Sequence, residues 1–77
     1  MRDLEEVKCL AQDILEDENE MARFRKLVPA GMTDATIAFV VACCEDDMDD
    51  ADYKKLFESC NGRSDEEIQT LAVAATV

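Results

Sequence analysis

The sequence predicts an all-α protein, a compact bundle of four to five short helices. Apolar residues recur at three- and four-residue spacing along most of the chain, which is the period of an amphipathic helix. Two glycines and one proline are too few for the turns of an all-β fold, and a hydrophobic content of 48% is enough for collapse. The 77 residues predict one domain over 1–77, with a core so small that a partner or oligomerisation is expected to stabilise it.

The first two helices are predicted over about 3–16 and 19–28. Cys9 falls on the polar side of the first, because successive helical residues point about 100° apart, so we expect it to be exposed or covered by a partner. Asp17 or Asn19 is expected to cap the second helix, and Pro29 to end it. One long, kinked helix is the alternative. The apolar positions of the two helices are Leu4, Val7, Leu10, Ala11, Ile14, Leu15, Met21, Phe24, Leu27 and Val28.

A third helix is predicted over about 34–45, opened by Thr33 or Asp34. Its apolar residues cover all sides, since Val40 and Cys44 share one face while Phe39 lies on another. A helix of that kind is usually central and buried. The β-branched residues would also suit a buried strand, but the chain offers no second strand to pair with it, so a helix is preferred.

The segment Glu45–Asp52, named here the aspartate run, holds six acids in eight positions and no base. Its first part is expected to be a loop. Asp49 or Asp50 is expected to cap a fourth helix over about 50–60, which ends at Asn61-Gly62. The predicted inward side of this helix consists of Tyr53, Leu56, Phe57 and Cys60.

The last helix, over about 65–76, has the clearest start, because Ser64 followed by Glu67 is a capping box. Val73 and Val77 are expected to point to solvent or to another subunit. The predicted inward side of this helix consists of Ile68, Leu71, Ala72 and Ala75.

The residue types exclude most enzymatic chemistry. With no histidine, one chain cannot form a Cys-His or Ser-His pair. Catalytic carboxylate pairs need a cleft that raises the pKa of one member, which so small a bundle rarely has. Cys43, Cys44 and Cys60 fit no zinc spacing and are expected to be core residues. The chain is therefore predicted to be no enzyme and to hold no cofactor and no metal.

The aspartate run departs from a calcium-binding loop. With Asp47 first, Asp49 and Glu58 fall at the third and twelfth positions of an EF-hand. Ala51 then takes the fifth position, and Asp52 takes the sixth, where the sharp turn needs glycine. A specific calcium site is not predicted.

The sequence predicts a reducing, cytoplasmic location. The segment MRDLEEVKCL is too charged for a secretory signal. The longest apolar run, from Ala35 to Cys44, is too short to span a bilayer. Cysteines that act as small hydrophobes are typical of a reducing compartment.

A net charge of −11 selects the kind of partner. Such a surface repels nucleic acid and anionic membranes and attracts a basic protein surface. Carboxylates at helix N-termini are in part structural, but one or two suffice for each helix, so the surplus in the aspartate run points to function. The predicted partner contacts are Asp46, Asp47, Asp49, Asp50 and Asp52, with Glu16, Asp17, Glu18 and Glu20 second.

Two functions fit these observations. The first is an inhibitor that mimics the charge of nucleic acid and occupies the basic groove of a nucleic-acid-binding protein. Phage and mobile-element inhibitors of defence systems, anti-CRISPR proteins among them, are similar in size, acidity and helicity. The second is a homo-oligomeric structural, assembly or adaptor protein, for example a homodimer, that binds through apolar helix faces while the acids serve solubility alone.

The acidic sequence contains one cluster of basic residues. Arg23, Arg25 and Lys26 lie within four residues of one another. They are expected to pair with nearby acids such as Glu20, or with the aspartate run.

Overall fold

The third helix lies at the centre of a five-helix bundle. A computed structural model describes residues 2–76, with the helices α1 (Leu4–Glu16), α2 (Glu18–Arg25), α3 (Asp34–Cys43), α4 (Asp50–Cys60) and α5 (Asp65–Ala75). Helix α3 contacts all four others. No strand occurs between residues 2 and 76, and the predicted all-α fold is confirmed. Over the same residues, no helix combines the length and the apolar character needed to cross a bilayer.

Each helix begins at a residue whose side chain accepts a hydrogen bond from the first turn. These caps are Asp3, Asp17, Thr33, Asp49 and Ser64. The carboxylate of Asp49 accepts from the backbone N–H of Asp52 at 2.9 Å, and Ser64 forms the predicted capping box with Glu67. The backbone at Asp17 is extended, with φ −92° and ψ 100°, so α1 and α2 are two helices rather than one kinked helix.

The core combines α3 with three aromatic rings from α2 and α4. The Phe24 ring packs edge-on against Tyr53 and Phe57, with ring centroids 5.0 and 6.0 Å apart. Helix α3 is buried on several sides, as predicted, through Ile37, Ala38, Phe39, Val40, Ala42 and Cys43. Because the other four helices contact it, most of its apolar surface is covered within one chain, and Val41 stays half-buried.

The cysteines lie where the periodicity predicts. Cys9 is exposed on α1, and Cys43, Cys44 and Cys60 are buried. All four are unpaired. The three buried thiols fill core volume next to the aromatic rings and the apolar side chains of α5.

Helix α2 ends at Arg25, three residues before the predicted end at residue 28. The N–H of Leu27 donates to the carbonyl of Phe24 at 2.9 Å, so the chain tightens into a turn. Pro29 explains the difference, because proline disfavours helical backbone in the residue before it. Leu27 and Val28 are still half-buried against the core, although neither is helical.

Helix α3 ends at Cys43 rather than near residue 45. A residue far away in the sequence donates hydrogen bonds to the carbonyl oxygens at this end. The guanidinium of Arg2 donates to the carbonyl oxygens of Ala42 and Cys44, at 3.2 and 2.9 Å. The amide of Gln69 in turn donates to the carbonyl oxygen of Arg2. The segment before α1 therefore ties the end of α3 to the middle of α5.

The inward side of α5 differs from the predicted set. Ile68 and Ala72 are buried as expected, but Gln69 is buried too, and the placement of Ala75 in the core is wrong because it is exposed. The hydrogen bond to the carbonyl oxygen of Arg2 gives the buried Gln69 amide a polar partner. Val73 is half-buried, and Val77 lies outside the described residues.

Candidate functional site

The aspartate run joins α3 to α4 and is held at several points. Residues 44–49 form a loop, and α4 starts at Asp50. Met48 packs, partly buried, against the core. The hydroxyl of Tyr53 donates to the Asp47 carboxylate at 3.4 Å. Because the loop is fixed between the end of α3 and the cap of α4, its carboxylates keep a defined arrangement.

The members of the run divide into structural and unengaged carboxylates. Asp49 caps α4, and Asp50 accepts a hydrogen bond and an ion pair from Arg23, at 2.9 and 2.8 Å. Asp46 and Asp52 are exposed, and within residues 2–76 no hydrogen bond or ion pair engages their side chains. The surplus over structural need therefore consists of Asp46 and Asp52, with Asp47 in one long hydrogen bond.

The second predicted group of acids lies at the junction of α1 and α2. Asp17 caps α2 by accepting from the N–H groups of Asn19 and Glu20. Glu16 and Glu18 are exposed, and Glu20 is half-buried. This group therefore supplies one structural cap, while the side chains of Glu16 and Glu18 point to solvent.

Arg23 links the second group to the aspartate run. The hydrogen bond that Arg23 donates to Asp50 raises the pKa of the Arg23 guanidinium most strongly, and the negative charge of Glu20 adds to that rise. Glu20 on α2 and Asp50 on α4 therefore border the same cation. The prediction that the basic cluster pairs with Glu20 or with the run is confirmed for Arg23.

Arg25 has a different partner from the predicted ones. Its guanidinium pairs with Asp34 in the first turn of α3, with a closest approach of 2.6 Å. That hydrogen bond lowers the pKa of the Asp34 carboxyl. The pair ties the last residue of α2 to the first turn of α3. Of the two arginines, Arg23 is thus the one that pairs with the aspartate run.

A third cluster of acids stands apart from the first two. Asp65, Glu66 and Glu67 form the first turn of α5, which follows the C-terminal end of α4 and lies away from the aspartate run. Hydrogen bonds from Ser64, and next the pair with Arg63 at 3.3 Å, lower the pKa of the Glu67 carboxyl. This cluster serves mainly to start α5.

Exposed carboxylates define the chemistry of the surface. Every aspartate and glutamate is exposed except the half-buried Glu20. Within residues 2–76, no group of three or more Asp, Glu, His and Cys side chains is placed to hold a metal ion. The arrangement can attract cations and accept hydrogen bonds from lysine and arginine side chains.

The buried thiols are poor nucleophiles. Burial raises the pKa of Cys43 and of Cys44 to about 12, and that of Cys60 to about 11. A thiol with such a pKa is almost entirely protonated at neutral pH, and the thiolate is the reactive form. The three side chains therefore act as packing groups.

An apolar groove that the sequence does not predict lies beside the aspartate run. It lies between α4 and α5, has a volume of about 450 Å³, and is named here the α4–α5 groove. Met48 was the available signal, because it is the one large apolar residue in an otherwise acidic segment. The apolar residues that line the groove are Met48, Leu56, Leu71, Ala74 and Ala75.

Comparison with protein-family models, with curated proteins and with solved structures finds no match to this chain. No relative therefore supplies a function for the acidic surface.

Proposed function

We propose that this protein is a small, non-enzymatic inhibitor that presents carboxylates in place of phosphates to a basic, nucleic-acid-binding protein. Its action would be that of the phage and mobile-element proteins that block host defence systems. The observation that carries the proposal is the surplus of exposed, unengaged carboxylates on the loop between α3 and α4 and on the first turn of α4. Capping and ion pairing account for Asp49 and Asp50 but leave Asp46 and Asp52.

Rigidity makes these charges suited to mimicry. A carboxylate on an ordered loop loses little conformational entropy when it meets a lysine or arginine. The carboxylates of Glu16 and Glu18 on the neighbouring junction extend the negative surface. Binding of this kind is fast and strongly dependent on salt, because it is driven by long-range attraction between complementary surfaces.

We further propose that the protein acts in the cytoplasm of a cell or of an infected host. The four unpaired cysteines support a reducing compartment. An exposed thiol such as Cys9 would be oxidised readily outside the cell.

The test is affinity capture from bacterial lysate with three baits. The first is wild type, and the second carries Asp46→Asn, Asp47→Asn and Asp52→Asn. Asparagine keeps the shape of each side chain, and the cap Asp49 and the paired Asp50 stay in place. The third bait removes the same number of charges elsewhere, by Glu5→Gln, Glu6→Gln and Glu58→Gln, at exposed positions.

We expect wild type and the third bait to retain a nucleic-acid-handling protein that the second bait loses. Salt should release that protein as the concentration rises from about 0.05 to 0.5 M, and added duplex DNA should compete for it. Retention of the captured protein that does not change with salt, with added DNA or with the Asn substitutions would contradict mimicry. Equal loss with the second and third baits would show that net charge, rather than this surface, attracts the partner.

The second candidate is a homo-oligomeric structural or adaptor protein that binds through apolar helix faces. The burial of α3 within the chain removes one argument for it, but a half-buried patch of Leu10, Ile14 and Val41 around a recess of about 250 Å³ favours it. Sedimentation equilibrium decides between the two. A dimer that persists in high salt and is lost with Ile14→Glu supports the second candidate.

A further inference from the structure

The α4–α5 groove offers an apolar surface next to the aspartate run. Leu56 is buried, Met48 and Leu71 are half-buried, and Ala74 and Ala75 are exposed, so small side chains leave the groove open. Three exposed polar residues complete the lining: Asp52, Lys55 and Ser59. Met48 and Asp52 both belong to the aspartate run, so the groove and the carboxylates adjoin.

A second recess also lies along α5. It has a volume of about 360 Å³ and shares Leu71 with the first. Its other lining residues are Arg63, Glu66, Glu67 and Thr70. From Glu66 to Ala75 the path follows α5 for about 13 Å, which is the length of two to three helical turns. Both ends carry carboxylates, Asp52 at one and Glu66 with Glu67 at the other, and these acids outnumber the two bases in the lining, Lys55 and Arg63.

We propose that this groove receives the apolar side of a basic amphipathic helix of the partner, while Asp46, Asp52 and Glu66 contact its lysines and arginines. The proposal rests on the proposed function and adds the kind of segment that the partner presents. An amphipathic helix laid in an apolar groove is a recurring mode of recognition, anchored by apolar residues at helical spacing. Met48 suits such a surface, since methionine adapts its shape to different apolar side chains.

Charge selects this occupant over a second copy of the chain. A net charge of −11 on each copy opposes self-association through a groove that has carboxylates at its ends. A basic helix gains from the same charges, because its cationic residues flank the apolar stripe that enters the groove.

The experiment uses two synthetic peptides as probes. One is an amphipathic peptide of about 15 residues with leucines at helical spacing and lysines on the other side. The second is its scrambled isomer, which has the same charge but no apolar stripe. Fluorescence anisotropy measures the binding of both to wild type, to Ala74→Trp and to Ala35→Trp. Both alanines are exposed, and Ala35 lines a separate recess between α1, α3 and α5, so the second substitution is a matched control.

We expect wild type to bind the amphipathic peptide at least about tenfold more tightly than the scrambled isomer, because an apolar side chain leaves water. Ala74→Trp fills the groove and should reduce that preference to about twofold or less, whereas Ala35→Trp should leave it unchanged. Equal binding of the two isomers to wild type overturns the proposal. So does a preference that survives Ala74→Trp or is lost with Ala35→Trp.

Two further measurements separate this inference from the proposed function. They are the salt dependence of peptide binding and the binding to the variant with Asp46→Asn, Asp47→Asn and Asp52→Asn. If the two isomers bind alike, and salt and the Asn changes weaken their binding equally, the groove proposal is contradicted and the charge-based function is not. If the isomers differ in affinity but neither salt nor the Asn changes affect their binding, the groove proposal is supported and the charge-based function is contradicted.

Discussion

Arg23 makes three contacts of two kinds at the boundary between α2 and α4. Its guanidinium lies 5.0 Å from the ring centroid of Phe24 and 5.4 Å from that of Tyr53. It also pairs with Asp50 at 2.8 Å. The aromatic rings hold the cation where it meets the aspartate run, so this residue couples the core to the acidic surface.

We expect Arg23→Ala to lower the free energy of unfolding by about 1 kcal/mol, since it removes an exposed ion pair and two cation–π contacts. Urea unfolding followed by circular dichroism measures the change. Arg25→Ala is the control, because Arg25 has an exposed ion pair without an aromatic partner. A loss with Arg25→Ala as large as that with Arg23→Ala would argue against a role for the rings.

The four thiols should separate into one reactive and three protected groups. In the native protein at pH 8, we expect a thiol reagent such as dithionitrobenzoate to modify Cys9 alone, because Cys43, Cys44 and Cys60 are buried. Unfolding in urea should expose all four. Cys9→Ser should abolish the fast reaction, and rapid modification of a second cysteine in the folded protein would contradict the described core.

Stability should fall in alkaline solution. Burial raises the pKa of Cys43 and of Cys44 to about 12 in the folded chain, above the ordinary thiol value near 9. The unfolded chain therefore releases these protons first, so the contribution is complete below about pH 9 and is lost as the pH rises towards 12. Tyr53, whose pKa burial raises to about 12, acts in the same direction.

The measurement is the urea midpoint at a series of pH values from 8 to above 10. It should change little up to about pH 9 and decrease above that pH, and Cys60→Ala should make the decrease shallower by removing one buried titrating group. A midpoint independent of pH over this range would contradict the burial of the thiols.

At the scale of helices, side-chain caps made the starts predictable. The sequence left pairs of candidate caps one or two positions apart, and the structure selects Asp17 over Asn19, Thr33 over Asp34, and Asp49 over Asp50. Capping is a local interaction between a side chain and the next turn, so a short stretch of sequence contains what is needed to predict it.

The capping box of α5 provides a sharp test. Ser64→Ala should destabilise the protein by about 1 kcal/mol, because the first turn loses its hydrogen-bond acceptor. Ser59→Ala, an exposed position inside α4, is the matched control and should be neutral or slightly stabilising, since alanine is the better helix former. Thermal unfolding of both variants gives the comparison. Equal changes in stability for the two variants would mean that the Ser64 hydroxyl does not stabilise α5 as a cap.

The features that the sequence could not reveal depend on residues far apart in the chain. Arg2 meets the end of α3 forty and forty-two positions away, and Gln69 meets Arg2 across sixty-seven. Neither contact leaves a local pattern. The same holds for the candidate site, where the acids could be named from composition but the α4–α5 groove forms only when the two helices pack.

At the scale of the whole molecule, charge is dense relative to size. The Cα positions extend over 26 × 23 × 22 Å, and the net charge is −11. At an ionic strength of about 0.01 M the screening length is about 30 Å, longer than the molecule, so every carboxylate repels every other. At about 0.15 M it is about 8 Å, and only neighbouring charges interact.

Salt should therefore stabilise the fold. We expect the urea midpoint to increase as sodium chloride is raised from about 0.01 to 0.15 M, because screening reduces the repulsion that favours the expanded chain. The variant with Asp46→Asn, Asp47→Asn and Asp52→Asn should show a smaller increase. A midpoint that decreases with salt would mean that the ion pairs of Arg23 and Arg25 outweigh the repulsion.

The burial of α3 also affects the chain before it folds. Residues 35–44 hold one polar side chain, Thr36, so this stretch could associate with other copies whenever it is uncovered. Asp34 precedes it, and Glu45, Asp46 and Asp47 follow it directly. Charges that flank an apolar segment act as gatekeepers, because stacking such segments would bring like charges together. The carboxylates that we propose contact a partner thus also flank the most apolar segment, and we expect them to oppose aggregation of the newly made chain.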